Sequence, residues 1–148
     1  MNIWIDGDAC PRTIKELLFR AAVRTKTYLI AVSNHNIAIP ASPFIKKCQV
    51  GLGFDVADNY IVNHMKQGDL VITADIPLAD AVITQGGVVL NPRGGMYTAN
   101  NIKSHLALRN FNESLRSCNL LTGGPAKLSQ KEVQNFANSL DRILSAKT

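Results

Sequence analysis

Residues 69–79 read Asp69-Leu70-Val71-Ile72-Thr73-Ala74-Asp75-Ile76-Pro77-Leu78-Ala79. Leu70 to Thr73 is a short apolar or β-branched run with no polar alternation, as expected of a strand buried on both faces. Asp75 and Pro77 then suit the start of a helix: an aspartate accepts from the free N–H groups, and a proline in the first turn forfeits no hydrogen bond. The helix reads over 76–85 and is closed by Gly86-Gly87, and Val88 to Leu90 follows as another strand. A buried strand, a helix and a second strand in close succession form the unit of a parallel sheet covered on both faces.

The same alternation extends toward the N-terminus. Residues 2–6 (Asn-Ile-Trp-Ile-Asp) form a first strand, and Pro11 stands where a helix starts, with Ile14, Leu17, Leu18, Ala21 and Ala22 at helical spacing. Thr27 to Val32 reads as a second strand, a loop carries Pro40 and Pro43, and residues 47–52 read as a short third strand. A helix over 55–66 carries Val56, Tyr60 and Ile61 and stops at Gly68. Past the fifth strand, Asn91-Pro92-Arg93-Gly94-Gly95 is a loop, and Thr98 caps a helix bearing Ile102, Leu106, Phe111 and Leu115. Thr122-Gly123-Gly124-Pro125 breaks that helix. Ser129 and Glu132 form a capping box before a last helix with Val133, Phe136, Ala137, Leu140 and Ile143 on one face. The expected architecture is an α/β three-layer sandwich with a mostly parallel sheet of about five strands, in one domain over 1–148.

The chain of 148 residues is 46% hydrophobic and 6% aromatic, which suits a mainly aliphatic core. No apolar run approaches the roughly 20 residues of a membrane span. Met1-Asn2-Ile3-Trp4-Ile5-Asp6 lacks the basic start and apolar run of a signal peptide. Cys10, Cys48 and Cys118 are far apart with no C-x-x-C pair, and His35, His64 and His105 are scattered, which argues against a zinc site or a disulfide framework. The expected setting is the reducing cytoplasm. The 16 basic residues exceed the 11 acidic ones. Six of those acids (Asp6, Asp8, Asp55, Asp58, Asp75 and Asp80) lie at expected strand–helix junctions, so the remaining surface is basic and suits a polyanion such as nucleic acid.

In open parallel sheets, ligands bind outside the carboxyl ends of the strands, where the strand order reverses. Asp6 and Asp8 follow the first strand and Asp75 follows the fourth. Asp55 and Asp58 open the helix before the fourth strand and, three apart, share a face. If strands one and four are neighbours, these carboxylates share one crevice. Crowded carboxylates need a compensating cation, and hard oxygen donors suit Mg²⁺ or Mn²⁺. Helix capping accounts equally well for Asp55, Asp58 and Asp75 taken singly. Asp6, at the end of an apolar strand, has no such explanation. Arg12 and Arg93 are the cations expected near this edge, with Arg93 in a glycine-flanked loop able to hold a phosphate.

Several motifs together resemble the YaiI/YqxD family of uncharacterised bacterial proteins. They are Trp4-Ile5-Asp6-Gly7-Asp8-Ala9-Cys10-Pro11, Gly53-Phe54-Asp55-Val56-Ala57-Asp58, the 69–79 stretch, Asn91-Pro92-Arg93-Gly94, Leu121-Thr122-Gly123-Gly124-Pro125 and Phe136-Ala137-Asn138-Ser139-Leu140-Asp141. The resemblance spans nearly the whole chain, with Gly7 standing where that family has alanine. It implies a PIN-like domain, a fold whose better-known members are metal-dependent nucleases acting mostly on RNA. Asp6, Asp55 or Asp58, and Asp75 match the acidic positions of those nucleases, and Val71-Ile72-Thr73-Ala74-Asp75 is similar to their hydrophobic-Thr-x-Asp strand end. Asp8 has no counterpart there.

The leading expectation is a Mg²⁺- or Mn²⁺-dependent ribonuclease. Asp6, Asp58 and Asp75 would be catalytic, Asp6, Asp8, Asp55, Asp58 and Asp75 the candidate metal ligands, and Arg12 and Arg93 would position the backbone. Two alternatives stand beside it. One is a non-catalytic nucleic-acid or protein-binding module that retains the acidic pocket. The other is a phosphatase of the haloacid-dehalogenase type, which Asp6-x-Asp8 after an apolar strand resembles, with Asp6 as nucleophile.

Overall fold

Strand β1 (Ile3–Asp6) is central in the sheet, pairing in parallel with β2 (Leu29–Ser33) on one side and β4 (Leu70–Ile72) on the other. The computed structural model describes residues 1–53, 56–108 and 128–146. β3 (Ile45–Gln49) extends the sheet beyond β2, and β5 (Val88–Leu90) extends it beyond β4. A short antiparallel β6 (Met96–Tyr97) completes the order β3-β2-β1-β4-β5-β6. The chain therefore builds outward from β1 in one direction, then crosses to the other side, and the order reverses between β1 and β4. That reversal is where the strand ends part and leave a crevice.

The layers follow from the two-residue period of the strands. Ile3 and Ile5 point to one face and pack with Ile14 and Leu18 of α1 (Arg12–Thr25) and with Phe136 and Leu140 of α5 (Gln130–Ala146). Trp4 points to the other. There it joins Ile61 of α2 (Val56–His64), Leu78 and Val82 of α3 (Ile76–Thr84), and Ile102 of α4, a helical stretch over 102–108. Val71 of β4 keeps the register, aligned with Trp4, while Leu70 and Ile72 align with Ile3 and Ile5. The observed architecture is the expected three-layer α/β sandwich around a mostly parallel sheet.

The differences from the sequence expectation have local causes. β2 starts at Leu29 because Thr27 still closes α1, its N–H donating to the Ala22 carbonyl at 2.9 Å. β3 lies at Ile45–Gln49, nearer the chain start than 47–52, because Leu29 N–H donates to the Phe44 carbonyl and sets the register Leu29 to Ile45. β6 lies in a segment read as loop and helix cap. Two residues are too few to show alternation, and the pairing rests on the Asn91–Gly95 turn, where Asn91 N–H meets the Gly95 carbonyl at 2.8 Å. Both expected caps near the C-terminal half form. Thr98 Oγ1 accepts from Asn101 N–H at 3.2 Å, and Ser129 and Glu132 exchange backbone and side-chain bonds at 3.1 Å each way. Asp55, Phe111, Leu115 and the Thr122-Gly123-Gly124-Pro125 turn lie outside the described residues.

Candidate functional site

Asp6 is the last residue of β1, and the chain turns sharply after it. Its Oδ1 accepts from the N–H groups of Asp8 and Ala9, at 3.0 and 3.3 Å, so the carboxylate is fixed by the turn it terminates. Asp75 is fixed by the same device. Its Oδ1 caps α3 by accepting from Leu78 N–H at 3.0 Å, and its own N–H donates to Thr73 Oγ1 at 2.9 Å. The Thr-x-Asp spacing thus has a mechanical meaning, for the buried Thr73 hydroxyl aims the backbone that carries Asp75. In both residues one oxygen is committed to backbone. Among the described residues the Oδ2 atoms of Asp6 and Asp75 make no hydrogen bond.

These two aspartates and Asp58, in the first turn of α2, line one cavity of about 120 Å³. Cys10, Thr73 and Pro92 form other parts of its wall. Three separate elements therefore bring three carboxylates to one cavity at the β1/β4 reversal. Burial pushes the Asp6 carboxyl above the usual carboxylate range. The Asp8 and Ala9 N–H groups oppose that rise, and the charges of Asp8 and Asp75 add to it. The Cys10 thiol is pushed up to about 12, mainly by burial and against the pull of Lys15, so it is a neutral wall residue rather than a thiolate nucleophile.

The other expected site residues are placed elsewhere. Asp8 turns toward the end of β2. Its carboxylate accepts from Asn34 N–H and meets His35 Nδ1 at 3.2 Å, tying the β1 turn to the β2 turn. It is absent from the described cavity wall, though its charge still reaches Asp6. Arg12 is almost fully exposed and pairs with Glu16 one helical turn on, at 3.2 Å. Arg93 directs its guanidinium to Glu132, with Nη1 at 2.7 and 2.9 Å from the two carboxylate oxygens, while its neighbour Pro92 reaches the cavity. Asp55 lies outside the described residues. Sequence reading did not place Pro92 in the wall. The signal for Pro92 was its position directly after the β5 end.

Among the described residues, no three His, Cys, Asp or Glu side chains stand close enough to enclose a metal ion. Mg²⁺ does not require such a cage, since it binds through one or two carboxylates and keeps several waters. Asp6 and Asp75, each with one oxygen left over from backbone bonding, fit a hydrated ion of that kind.

The fold and site define a three-layer α/β protein with a carboxylate-walled cavity at the reversal point of a parallel sheet. The chain belongs to the family described as "Uncharacterized BCR, YaiI/YqxD family", whose model matches residues 4–146. It is similar to UPF0178 protein lpg0089 of Legionella pneumophila, 59% identical over 98% of each chain. It is also similar to the UPF0178 protein of Shewanella amazonensis, 56% identical over 98% of this chain and 97% of that one. Among solved structures it is similar to Rae1 (YacP) from Bacillus subtilis, with a TM-score of 0.43 and 16% identity over 100% of both chains. Among the described residues no helix is long and apolar enough to cross a membrane.

Proposed function

We propose that this protein is a divalent-metal-dependent phosphodiesterase that hydrolyses RNA at the cavity walled by Asp6, Asp58 and Asp75. The observation that supports this reading most is the convergence of these three carboxylates from β1, α2 and the cap of α3 on one cavity at the β1/β4 reversal. Capping accounts for Asp75 and for the favourable placement of Asp58 in a first turn, and the Asp8 and Ala9 N–H groups account for one oxygen of Asp6, but among the described residues no donor takes the second oxygen of this half-buried acid at the end of β1. An unneutralised carboxylate there is costly, as its raised proton affinity shows. The cost is offset once a cation shares the cavity. Asp6 and Asp75 would hold the ion through the oxygens not committed to backbone, and Asp58 would complete the wall. When bound, Mg²⁺ or Mn²⁺ supplies activation of a water and neutralisation of charge on the scissile phosphate. The backbone bonds to Asp6 and Asp75 keep both carboxylates oriented without substrate, and Cys10 and Pro92 form part of the wall beside them.

Incubation with single-stranded and with structured RNA in Mn²⁺ tests the assignment. Cleavage is expected, with a loss of at least about 10²-fold in Asp6→Asn and in Asp75→Asn. Asparagine keeps the backbone-accepting oxygen at both positions, so the fold survives. Undiminished cleavage by both variants would sink the proposal.

A further inference from the structure

A groove runs along the solvent side of α1, against the loop that carries Ile37, Ile39 and Pro40. Two adjoining cavities of about 490 and 580 Å³ form it, sharing Glu16, Phe19 and Pro40. Arg12 and Lys15 line one end and Arg20 and Arg24 the other. Glu16 is the one acid among the described lining residues, against four cations. The arrangement is written in the helix period, because Arg12, Glu16, Arg20 and Arg24 recur every four residues and share one face. Beneath the charges the floor is apolar, built from the exposed Val23 and the loop residues Ile37, Ile39 and Pro40 over the buried Phe19. Arg20 makes no hydrogen bond or ion pair among the described residues. Arg12 and Arg24 hold Glu16 and Asp141 in exposed pairs at 3.2 and 2.8 Å, which hold weakly and exchange readily for another anion.

We infer that this groove is the track of a single RNA strand, with phosphates on Arg12, Arg20 and Arg24 and bases laid on Val23, Ile39 and Pro40. The inference rests on the reading of the acidic cavity as a ribonuclease site and deepens it by assigning the form of substrate and its path. One continuous segment serves both places: Asp6, Ala9 and Cys10 wall the cavity, and Arg12 and Lys15 begin the groove. Lys15 is set in position by its Nζ, which donates to the Gly7 carbonyl at 3.1 Å. From Arg12 to Arg24 the helix rises about 18 Å, which suits a short run of roughly four nucleotides. Cations above an apolar floor are the chemistry of single-strand binding, in which phosphates are neutralised and base faces are taken out of water. A duplex keeps its bases stacked inside and cannot use the floor.

The test is fluorescence anisotropy of a labelled single-stranded RNA and of its duplex, both in EDTA so that binding is read without cleavage. The single strand is expected to bind more tightly than the duplex. Arg20→Glu is expected to weaken it by about tenfold or more and to lower the salt slope by about 1. Arg20→Ala is expected to show a smaller loss of the same sign. Lys103→Glu makes the same change in net charge on α4, in the opposite layer, and is expected to cost no more than about threefold. Circular dichroism checks that each variant is folded. Equal losses in Arg20→Glu and Lys103→Glu, no loss in Arg20→Glu, a duplex bound as well as the strand, or no RNA bound at all would each overturn the groove. Preference for acidic vesicles or peptides over RNA would overturn it too. The two readings fail separately. Binding that needs Arg20, with no cleavage in Mn²⁺, leaves the groove and removes the nuclease. Cleavage in Mn²⁺ that Arg20→Glu leaves unchanged does the reverse.

Discussion

Arg93 holds both carboxylate oxygens of Glu132 across 39 residues of sequence, at 2.7 and 2.9 Å. The pair fastens the loop after β5 to the first turn of α5, and the same loop carries Pro92 into the acidic cavity. Arg93, with Ser129 N–H as the second contribution, holds the Glu132 carboxyl below the ordinary carboxylate range. A carboxyl with a depressed folded-state pKa contributes stability above its unfolded pKa, and that contribution disappears as pH falls through the folded value. Glu132→Gln is therefore expected to lower Tm at neutral pH and to flatten the decline of Tm below about pH 4.5. Thermal melts from pH 7 down to pH 3 check it. A variant whose Tm declines with acid as steeply as the parent contradicts the assignment.

The next two residues of that loop should differ sharply in tolerance. Gly94 has φ +100°, and a Cβ there would lie 2.8 Å from both Asn135 Cβ and Phe136 N. Gly95 has open space around the same position. Gly94→Ala is expected to cost about 2 kcal/mol or more, since neither the backbone conformation nor the α5 backbone can yield cheaply, while Gly95→Ala should fall within about 0.5 kcal/mol of the parent. Urea denaturation of both variants tests the contrast.

How much of this was legible in the sequence depended on range. Asp75 was readable as a helix cap because capping is local, involving Leu78 three residues on. The β1–β4 neighbourhood could be stated only as a condition, since strand order rests on contacts 67 residues apart in the chain, of the kind Asn2 makes with Asp69. Arg93 shows the limit most plainly. A glycine-flanked arginine after a strand has the form of a phosphate holder, but nothing local reveals that Glu132 will arrive beside it. Asp8 is similar, its partners Asn34 and His35 being brought by the parallel pairing of β1 with β2.

Asp69 is the buried acid that the structure explains by structure alone. Its two oxygens accept from Asn2 N–H, Trp4 Nε1 and Lys66 N–H, each at 3.0 Å. It thus fixes the start of β1 and the end of the α2–β4 connection. Asp69→Ala strands three donors and is expected to destabilise by about 3–6 kcal/mol, counting one to two per lost bond to a charged group. Trp4 is the sole tryptophan, so its fluorescence reports the site directly. A red shift under native conditions together with a lower urea midpoint is expected. An unchanged spectrum and midpoint would show that these bonds contribute nothing net.

Asp6 should behave in the opposite way, because its charge strains the fold. Burial raises its pKa in the folded protein, so the ionised form is disfavoured there relative to the unfolded chain. Such a group contributes stability that is full below its unfolded pKa and lost as pH rises through the folded value, leaving neutral pH on the unfavourable side. Asp6→Asn removes the charge, keeps an oxygen for the Asp8 and Ala9 N–H groups, and should raise Tm at pH 7 while cleavage is lost. Mn²⁺ or Mg²⁺ should raise the Tm of the parent by binding the folded state, with the rise growing logarithmically with concentration, and should leave Asp6→Asn almost unmoved. Differential scanning calorimetry with EDTA and then with each ion reads both effects at once. An acid kept only for the fold predicts the reverse pattern, a Tm that falls in Asp6→Asn and does not respond to either ion in the parent.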